Sequence, residues 1–397
     1  MLQRNPPSPL QQAYNAFNDA LIKGGHRSVI KDGRIYPDME FILSMRDEFL
    51  RQCSPDEYKL KLKAADRYVT SISDVTAPII TTTQDASEVN TALLMTWQGN
   101  DPADYIRWLG IRESFKASGV PVVSCHTTSD RSVWIRDTNF VLGSTAFIPD
   151  PQRNCQLDYS MNVDGTIHVE QMSDNLVVDR VDEHAALLKK LGLDIVPMTG
   201  MYFEGADLMP DSQTNILFWG YNHFLYEDDQ EQMATAVTRA MGQRIKIRPV
   251  KINSSAHPHL DLGISPQLPS GHFLIDGYIG HDDNDFNSGY CALHRVLRNE
   301  RIITLPHHHC RKDLVTNLTV VGRTAFMTSC SADLRKRLED LGNSVNAPEE
   351  QHYRTPSNYL YNPGILRHIG GHYGGGVHCV TKEIPLALAK KYLFSLE

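Results

Sequence analysis

Thr138-Asn139-Phe140-Val141-Leu142-Gly143-Ser144-Thr145-Ala146-Phe147-Ile148 recurs, with one inserted residue, as Thr316-Asn317-Leu318-Thr319-Val320-Val321-Gly322-Arg323-Thr324-Ala325-Phe326-Met327. A weaker third copy is Thr214-Asn215-Ile216-Leu217-Phe218-Trp219-Gly220. Each copy reads as a β-hairpin: a strand, a turn at a glycine, and a second strand ending in an aromatic residue. An amphipathic helix and another short strand follow each hairpin. These pairs are Ala185 to Leu191 with Asp194 to Pro197, Met233 to Met241 with Arg244 to Pro249, and Leu334 to Leu341 with Ser344 to Val345. Ala292 to Arg298 followed by Ile302 to Leu305 fits the same scheme. The unit is therefore ββαβ, and the chain from residue 76 onward has room for about five copies. Repetition of a unit of this size suggests an α/β fold arranged radially about an axis.

The first 75 residues differ. Helix formers dominate Leu10 to Leu21, Asp38 to Cys53 and Pro55 to Arg67, with few strand-like runs. The expected division is a helical N-terminal extension, 1–75, and an α/β domain, 76–397. The extension is a candidate for capping a site, for homo-oligomerisation or for binding a partner.

Composition narrows the function classes. The 397 residues include 39 Lys+Arg against 47 Asp+Glu, with 41% hydrophobic and 22% charged residues. Such a chain buries a sizeable core without staples and is not disordered. An acidic chain with no Lys/Arg-rich block lacks the footprint of a nucleic-acid binder, whereas it is compatible with a small cationic ligand. No apolar segment follows Met1-Leu2-Gln3-Arg4-Asn5-Pro6-Pro7, and no run approaches the roughly 18 apolar residues of a membrane span. A cytoplasmic location without a membrane partner is expected. Seven scattered Cys with no CxxC pair suit a reducing compartment, with one chemically special thiol among them.

The chemically loaded residues fall at the seams between units. They are Trp134-Ile135-Arg136-Asp137-Thr138, Glu204-Gly205-Ala206-Asp207, His257-Pro258-His259-Leu260-Asp261 and Gly374-Gly375-Gly376-Val377-His378-Cys379. In a radial fold, equivalent seams point at one central site. Taken singly, each has a plainer reading. Arg136-Asp137 reads as a surface ion pair, Glu204 and Asp207 as turn carboxylates, His259 as a hydrogen-bonded histidine and the glycines as a flexible turn. Strand alternation would put His259 and Asp261 on one face and Leu260 on the other. Taken together, they form a coherent chemical set. A Cys needs its thiolate stabilised by neighbours, a His moves protons to a leaving group, and carboxylates hold a planar cation by paired hydrogen bonds. A planar cation attacked by a thiolate is in substance a guanidinium.

The order Asp, Glu, His-x-Asp, Cys resembles the signature of the guanidino-group-modifying superfamily. That superfamily includes arginine deiminases, agmatine deiminases, dimethylarginine hydrolases and amidinotransferases. The resemblance spans roughly residues 90–397, and Gly374 to Pro385 is its most specific part, similar to agmatine deiminases. Ala206 stands where the family usually has a second glycine. The resemblance implies a five-bladed α/β propeller of ββαβ units. It implies that Cys379 is a nucleophile forming an amidino-thioether and that His259 protonates the departing amine and then activates water. Glu204 would orient or charge-balance His259, and Asp137 and Asp261 would clamp the guanidinium, with Arg136 and Asp207 also at the substrate. No cofactor and no metal is implied. The expected activity is hydrolysis of a small guanidino compound with release of ammonia; transfer of the amidino group to an amine is the runner-up.

Two other classes stay open at this stage. A metal hydrolase would draw on His257, His259 and Asp261, on His307-His308-His309-Cys310, or on His368, His372 and His378, although no HExxH is present. A non-catalytic binding protein on the same scaffold would have kept the residues without the chemistry. Within the enzyme reading, arginine, agmatine, methylated arginine and protein-bound arginine are not distinguished. Arg136, Arg153, Arg311 and Arg354 are the candidate partners for an α-carboxylate.

Overall fold

Three amphipathic helices, α1 (Pro9–Lys23), α2 (Met39–Arg51) and α3 (Pro55–Ile72), open the chain. Asp38 starts α2 by accepting a hydrogen bond from Phe41 N at 3.0 Å. Phe17, Leu21, Ile42, Ala65, Tyr68 and Ile72 bury one another between the three helices. This computed structural model describes residues 8–393 except 26–27, 33, 74–76, 79–88, 98–101, 130–133, 154–156, 162–166, 172–173, 222–224, 253–258, 280–288, 308–309, 311–313 and 348–375. Among the described residues, no helix is long and apolar enough to cross a membrane.

The N-terminal segment is not helical throughout. Strands β1 (Ser28–Lys31) and β2 (Arg34–Pro37) form an antiparallel hairpin, and β3 (Ala77–Pro78) adds to β2 across the expected boundary at residue 75. The signal was present: Asp32-Gly33 lies between β-branched and aromatic residues, and Asp32 adopts a φ of 50°. Ile35 of this hairpin packs with Trp108 and Phe115, which belong to the first unit of the following domain.

From residue 91 the chain repeats one pattern. In the first unit, β4 (Thr91–Trp97) runs parallel to β5 (Val122–His126), with α4 (Pro102–Ala117) between them. In the second, β6 (Phe140–Leu142) and β7 (Thr145–Pro149) form a hairpin. After an inserted hairpin, β8 (Leu157–Met161) and β9 (Ile167–Gln171), helix α5 (Asp174–Leu191) leads to β10 (Asp194–Met198), parallel to β7. The third unit comprises β11 (Leu208–Asp211), β12 (Ile216–Tyr221), α6 (Glu227–Met241) and β13 (Lys246–Lys251). The fourth has β14 (Phe273–Asp276), α7 (Gly289–Val296) and β15 (Ile302–Leu305), its outer strand reduced to the antiparallel bridge between Ile264 and Ile275. The fifth has β16 (Thr319–Val321), β17 (Thr324–Phe326), α8 (Ala332–Asp340) and β18 (Ser344–Asn346). The last strand, β19 (Lys382–Pro385), pairs antiparallel with β4 and supplies the strand that the first unit lacks. The result is an α/β propeller of five ββαβ units, with the C-terminal strand completing the first.

Positive φ at the hairpin turns explains the repeated glycine. Gly143 (φ 59°) and Gly322 (φ 58°) close the second and fifth hairpins. The third copy is offset from the sequence reading. There Asn215 (φ 54°) is the turn residue, and Gly220 lies inside β12, where a Cβ would meet Leu260 Cβ at 2.7 Å. Helices α5, α6 and α8 begin before the residues that signalled them; the first turns of α6 and α8 are rich in charged residues and largely exposed.

Each central strand is short and apolar on both faces, and period-two alternation sends its side chains to two neighbours. Leu93 and Met95 face Val321 and Phe326 of the fifth unit, while Ala92 and Leu94 face Ala146 and Ile148 of the second. Phe147 then packs with Leu217 and Trp219 of the third unit. Phe218 packs with Phe273 and Ile275 of the fourth, and Leu274 with Ala325 and Met327 of the fifth. Five apolar layers thus lie between the units, and the strand ends converge on the axis.

The segment leading into the first strand of each unit is a tight turn at the hub, and the five turns are stitched into a ring. Arg136 N donates to Cys379 O (3.3 Å), Gly205 N to Asp137 O (3.1 Å) and Leu260 N to Asp207 Oδ1 (2.9 Å). Thr316 Oγ1 donates to Leu262 O (2.6 Å) and His378 N to Asn317 O (3.4 Å), which closes the circle. The contact at Gly205 is so close that a Cβ there would lie 1.8 Å from Asn139 O. Lys382, fully buried, ties two of the turns by donating from Nζ to Asn139 O at 2.7 Å. If the inter-unit layers carry the stability, Phe147→Ala costs about 3–5 kcal/mol in urea unfolding, while Leu43→Ala, at an exposed position, costs under about 0.5 kcal/mol. Equal losses would contradict the layered packing.

Candidate functional site

The hub turns carry the residues singled out in the sequence, and the fold brings most of them together. Cys379, in the turn before β19, is buried. Its Sγ receives a hydrogen bond from Asn317 Nδ2 at 3.1 Å and lies 3.6 Å from Asp261 Oδ2. Asp261, fully buried, accepts from His378 Nδ1 at 2.8 Å through the same Oδ2, and its Oδ1 has no partner among the described residues. Asp137 Oδ1 is likewise buried without a hydrogen-bond partner, 3.9 Å from His259 Nδ1. On its other side, His259 forms an ion pair through Nε2 with Glu204 Oε2, and Tyr202 donates to Glu204 Oε1 at 2.8 Å.

His259 and Asp261 do not share a strand face as expected. Leu260–Leu262 is a short 3-10 turn with His259 just before it. Asp207 shapes that turn by accepting from Leu260 N, so His259 is aimed at Glu204 and Asp137 while Asp261 is aimed at His378 and Cys379. The two residues still flank one site, from opposite sides.

Arg136 and Asp207, expected at the substrate, both make hydrogen bonds to the framework of the site. The Arg136 guanidinium bonds to Glu383 at 2.5 Å and to His378 O at 3.3 Å, so it braces the Cys379 turn from behind. Asp207 spends its Oδ1 on Leu260 N. Of the other sequence candidates, His257, His308, His309, His368, His372, Gly374, Gly375, Arg311 and Arg354 lie outside the described residues, as does the side chain of Arg153. His307 pairs with Asp276 at 2.7 Å, and Cys310 is a core residue between the fourth and fifth units. Among the described residues, no group of three or more His, Cys, Asp and Glu side chains has a metal-holding arrangement.

Sequence reasoning missed three participants. Asn317 stood only as part of the quoted repeat, Lys382 only within the stretch from Gly374 to Pro385, and Arg180 was not singled out at all. Arg180 is buried, its Nε has no hydrogen-bond partner among the described residues, and its charge acts on Glu204 and Asp137. Nothing in a single sequence marks these residues, since each meets the site only through a neighbouring unit.

The electrostatics follow from four carboxylates sharing little water. Burial lifts Asp137 to about 6, against the pull of His259. Burial likewise pushes Asp207 up to about 8. Glu204 behaves oppositely: burial would raise it, but the His259 charge and hydrogen bond, with Arg180 and Tyr202, hold it at about 2. His259 is in turn held protonated well above its ordinary range by Glu204 and Asp137, despite burial. Burial would raise Asp261, but the His378 hydrogen bond together with the charges of His378, His259 and Arg136 holds it below its ordinary value. Burial, Asp261 and Asp137 together push the Cys379 thiol well up. The arrangement places a buried thiol near two carboxylate oxygens that lack a hydrogen-bond partner among the described residues, and a protonated His on a carboxylate.

The ring of five ββαβ units is the propeller fold of the guanidino-group-modifying enzymes. No protein-family model matches the chain, and no curated protein matches it. Among solved structures, ArgZ, an arginine dihydrolase from the ornithine-ammonia cycle in cyanobacteria, matches in its apo form with a TM-score of 0.51 and 13% identity, over 74% of this chain and 39% of that one. The N-terminal domain of ArgZ bound to substrate matches with a TM-score of 0.51 and 13% identity, over 74% of this chain and 97% of the domain. Unliganded AgrE matches with a TM-score of 0.51 and 14% identity, over 74% and 39%. The matched region is therefore well under half the length of the two full-length proteins, and at this identity the likeness is one of fold.

The pKa pattern fixes a pH dependence. The stability contributed by Glu204 is complete above its ordinary 4.5 and is lost as the pH falls toward about 2. That of His259 is complete below its ordinary 6.5 and is lost only as the pH rises through its raised value. Between those two ordinary values the pair is at full strength. Glu204→Gln removes the acid limb. Between about pH 5 and pH 3 its urea-unfolding free energy falls less than that of the wild type, by on the order of 2 kcal/mol. Parallel curves would contradict the ion pair.

Proposed function

We propose that this chain is a Cys-dependent hydrolase acting on the guanidinium group of arginine or a related small guanidino compound, with residues 76–397 carrying the machinery. The observation that carries the reading is that Asp137 Oδ1 and Asp261 Oδ1 are buried without a partner among the described residues, on carboxylates that act on Cys379, Asp261 through its Oδ2 at 3.6 Å from the sulfur. Buried carboxylate oxygens are costly without donors, and a planar cation with N–H groups on three sides supplies them in paired geometry. The fold shared with an arginine dihydrolase supports the same class.

The chemistry follows from the positions. A bound guanidinium neutralises the two carboxylates that oppose ionisation of Cys379, and the thiol proton leaves to solvent. The thiolate sulfur adds to the guanidinium carbon, and the C=N π pair moves onto nitrogen. His259, protonated against Glu204, gives its proton to the departing nitrogen as the C–N bond breaks, which releases ammonia or an amine and leaves an amidino-thioether on Cys379. His259, now neutral, takes a proton from water as the oxygen adds to the same carbon. Collapse of that adduct breaks the C–S bond and yields the ureido product. Glu204 is the positioning residue for His259, and Arg136 and Asp207 hold the turns that bear Cys379 and His259.

A panel of guanidino compounds followed by mass spectrometry for ammonia and ureido products tests this directly. At least one compound is consumed by the wild type and none by Cys379→Ala. His259→Asn lowers the rate by ~10²–10⁴-fold. Two ammonia molecules released per substrate indicate a dihydrolase, and appearance of a new guanidino product with an added amine indicates transfer. Absence of any product with the whole panel overturns the catalytic reading.

A further inference from the structure

The thiol of Cys379 sits among groups that disfavour its ionisation. Asp261 Oδ2 lies 3.6 Å from the sulfur, and the Asp137 charge acts in the same direction. His378 is engaged with Asp261, and Arg136 with Glu383 and the His378 carbonyl, and among the described residues neither side chain is hydrogen-bonded to the sulfur. His259, held protonated, is paired with Glu204. The side chain that donates to the sulfur is neutral and comes from the opposite side of the ring closure: Asn317, fully buried, at 3.1 Å through Nδ2.

The orientation of that amide is fixed at both ends. Its Oδ1 accepts from His378 N at 3.1 Å and from Cys379 N at 3.3 Å, which turns the Nδ2 end toward the sulfur. The fit is tight: a Cβ on Gly376 would stand 2.6 Å from Asn317 Oδ1, so the residue three positions before the Cys leaves room for the amide. An amide N–H against sulfur at this distance is worth more to an anionic acceptor than to a neutral thiol.

We propose that Asn317 is a catalytic residue, whose side-chain N–H holds the Cys379 sulfur as the attacking thiolate once the substrate cation has neutralised Asp137 and Asp261. The proposal rests on the hydrolase reading for its role in turnover, but the contact with sulfur is independent of any substrate. Asn317→Asp is the diagnostic variant, because it keeps an oxygen for His378 N and Cys379 N and removes the donor to sulfur. Asn317→Ala, which removes both, is the second variant, and each is checked for folding by thermal unfolding.

The pH profile of Cys379 alkylation by iodoacetamide, read by peptide mass mapping, reports the thiolate without substrate. Its midpoint moves up by roughly one pH unit or more in both variants. With the guanidino compound that the wild type consumes, kcat falls by roughly tenfold or more while KM changes by less than about threefold. An unchanged alkylation midpoint in either folded variant overturns the assignment. A shifted midpoint in a protein whose wild type consumes no guanidine upholds the Asn317–thiolate contact and removes the hydrolase reading, so the two failures are told apart.

Discussion

A short strand with apolar side chains on both faces has no stable edge until something covers each side. In this chain the central strand of every unit is of that kind: Leu93 and Leu94, Phe147 and Ala146, Phe218 and Trp219, Leu274 and Phe273, Ala325 and Phe326 point in opposite directions into different layers. Stacking the units in a line would leave two sheets half exposed. Closing them into a ring leaves none, and the pairing of β19 with β4 is the closure. The polar hub is a consequence. Strand ends meet at the axis, five turns are forced side by side, and their backbone groups bond across unit boundaries because water cannot satisfy all of them.

That geometry explains why charges so far apart in sequence share a few ångströms. Asp137, Glu204, His259, Asp261 and Cys379 each belong to a turn held in the ring, so packing between the units supplies the rigidity that keeps like charges together. The cost is partly offset inside the hub. His259 is matched to Glu204, Arg136 to Glu383, and His378 to Asp261. Among the described residues, one oxygen on Asp137 and one on Asp261 keep no hydrogen-bond partner, as does the Nε of Arg180. Under the proposed function, the two carboxylate oxygens are the complement of a planar cation with a sulfur beside it.

Much of this was legible from particular residues, and the failures have physical causes. Gly143 and Gly322 announced the repeat because both hairpins need a positive φ, whereas Asn215 meets the same need without a glycine and shifted the third copy out of register. His259 and Asp261 looked like strand neighbours because alternation is the only pattern a short segment displays. The 3-10 turn that carries Leu260 to Leu262 depends on a bond from Leu260 N to Asp207, which no local rule contains. Arg136 looked like a ligand for substrate because a charged pair stands beside Asp137, yet its partner, Glu383, comes from the last strand. Asn317 and Lys382 were silent for the same reason: one acts on a sulfur and the other on a carbonyl in a different unit. Local chemistry thus revealed which turns matter, and ring closure decided which side chains meet.

The central claim is that the hub holds a planar cation against Cys379. It is tested most directly by comparing alkylation of Cys379 by 2-chloroacetamidine, a planar cation, with alkylation by the neutral 2-chloroacetamide of nearly the same shape. The account predicts that the ratio of the two rates at Cys379 exceeds the ratio for free cysteine by roughly tenfold or more, and that Asp137→Asn brings it back toward the free-cysteine value. Equal ratios for Cys379 and free cysteine would contradict the account.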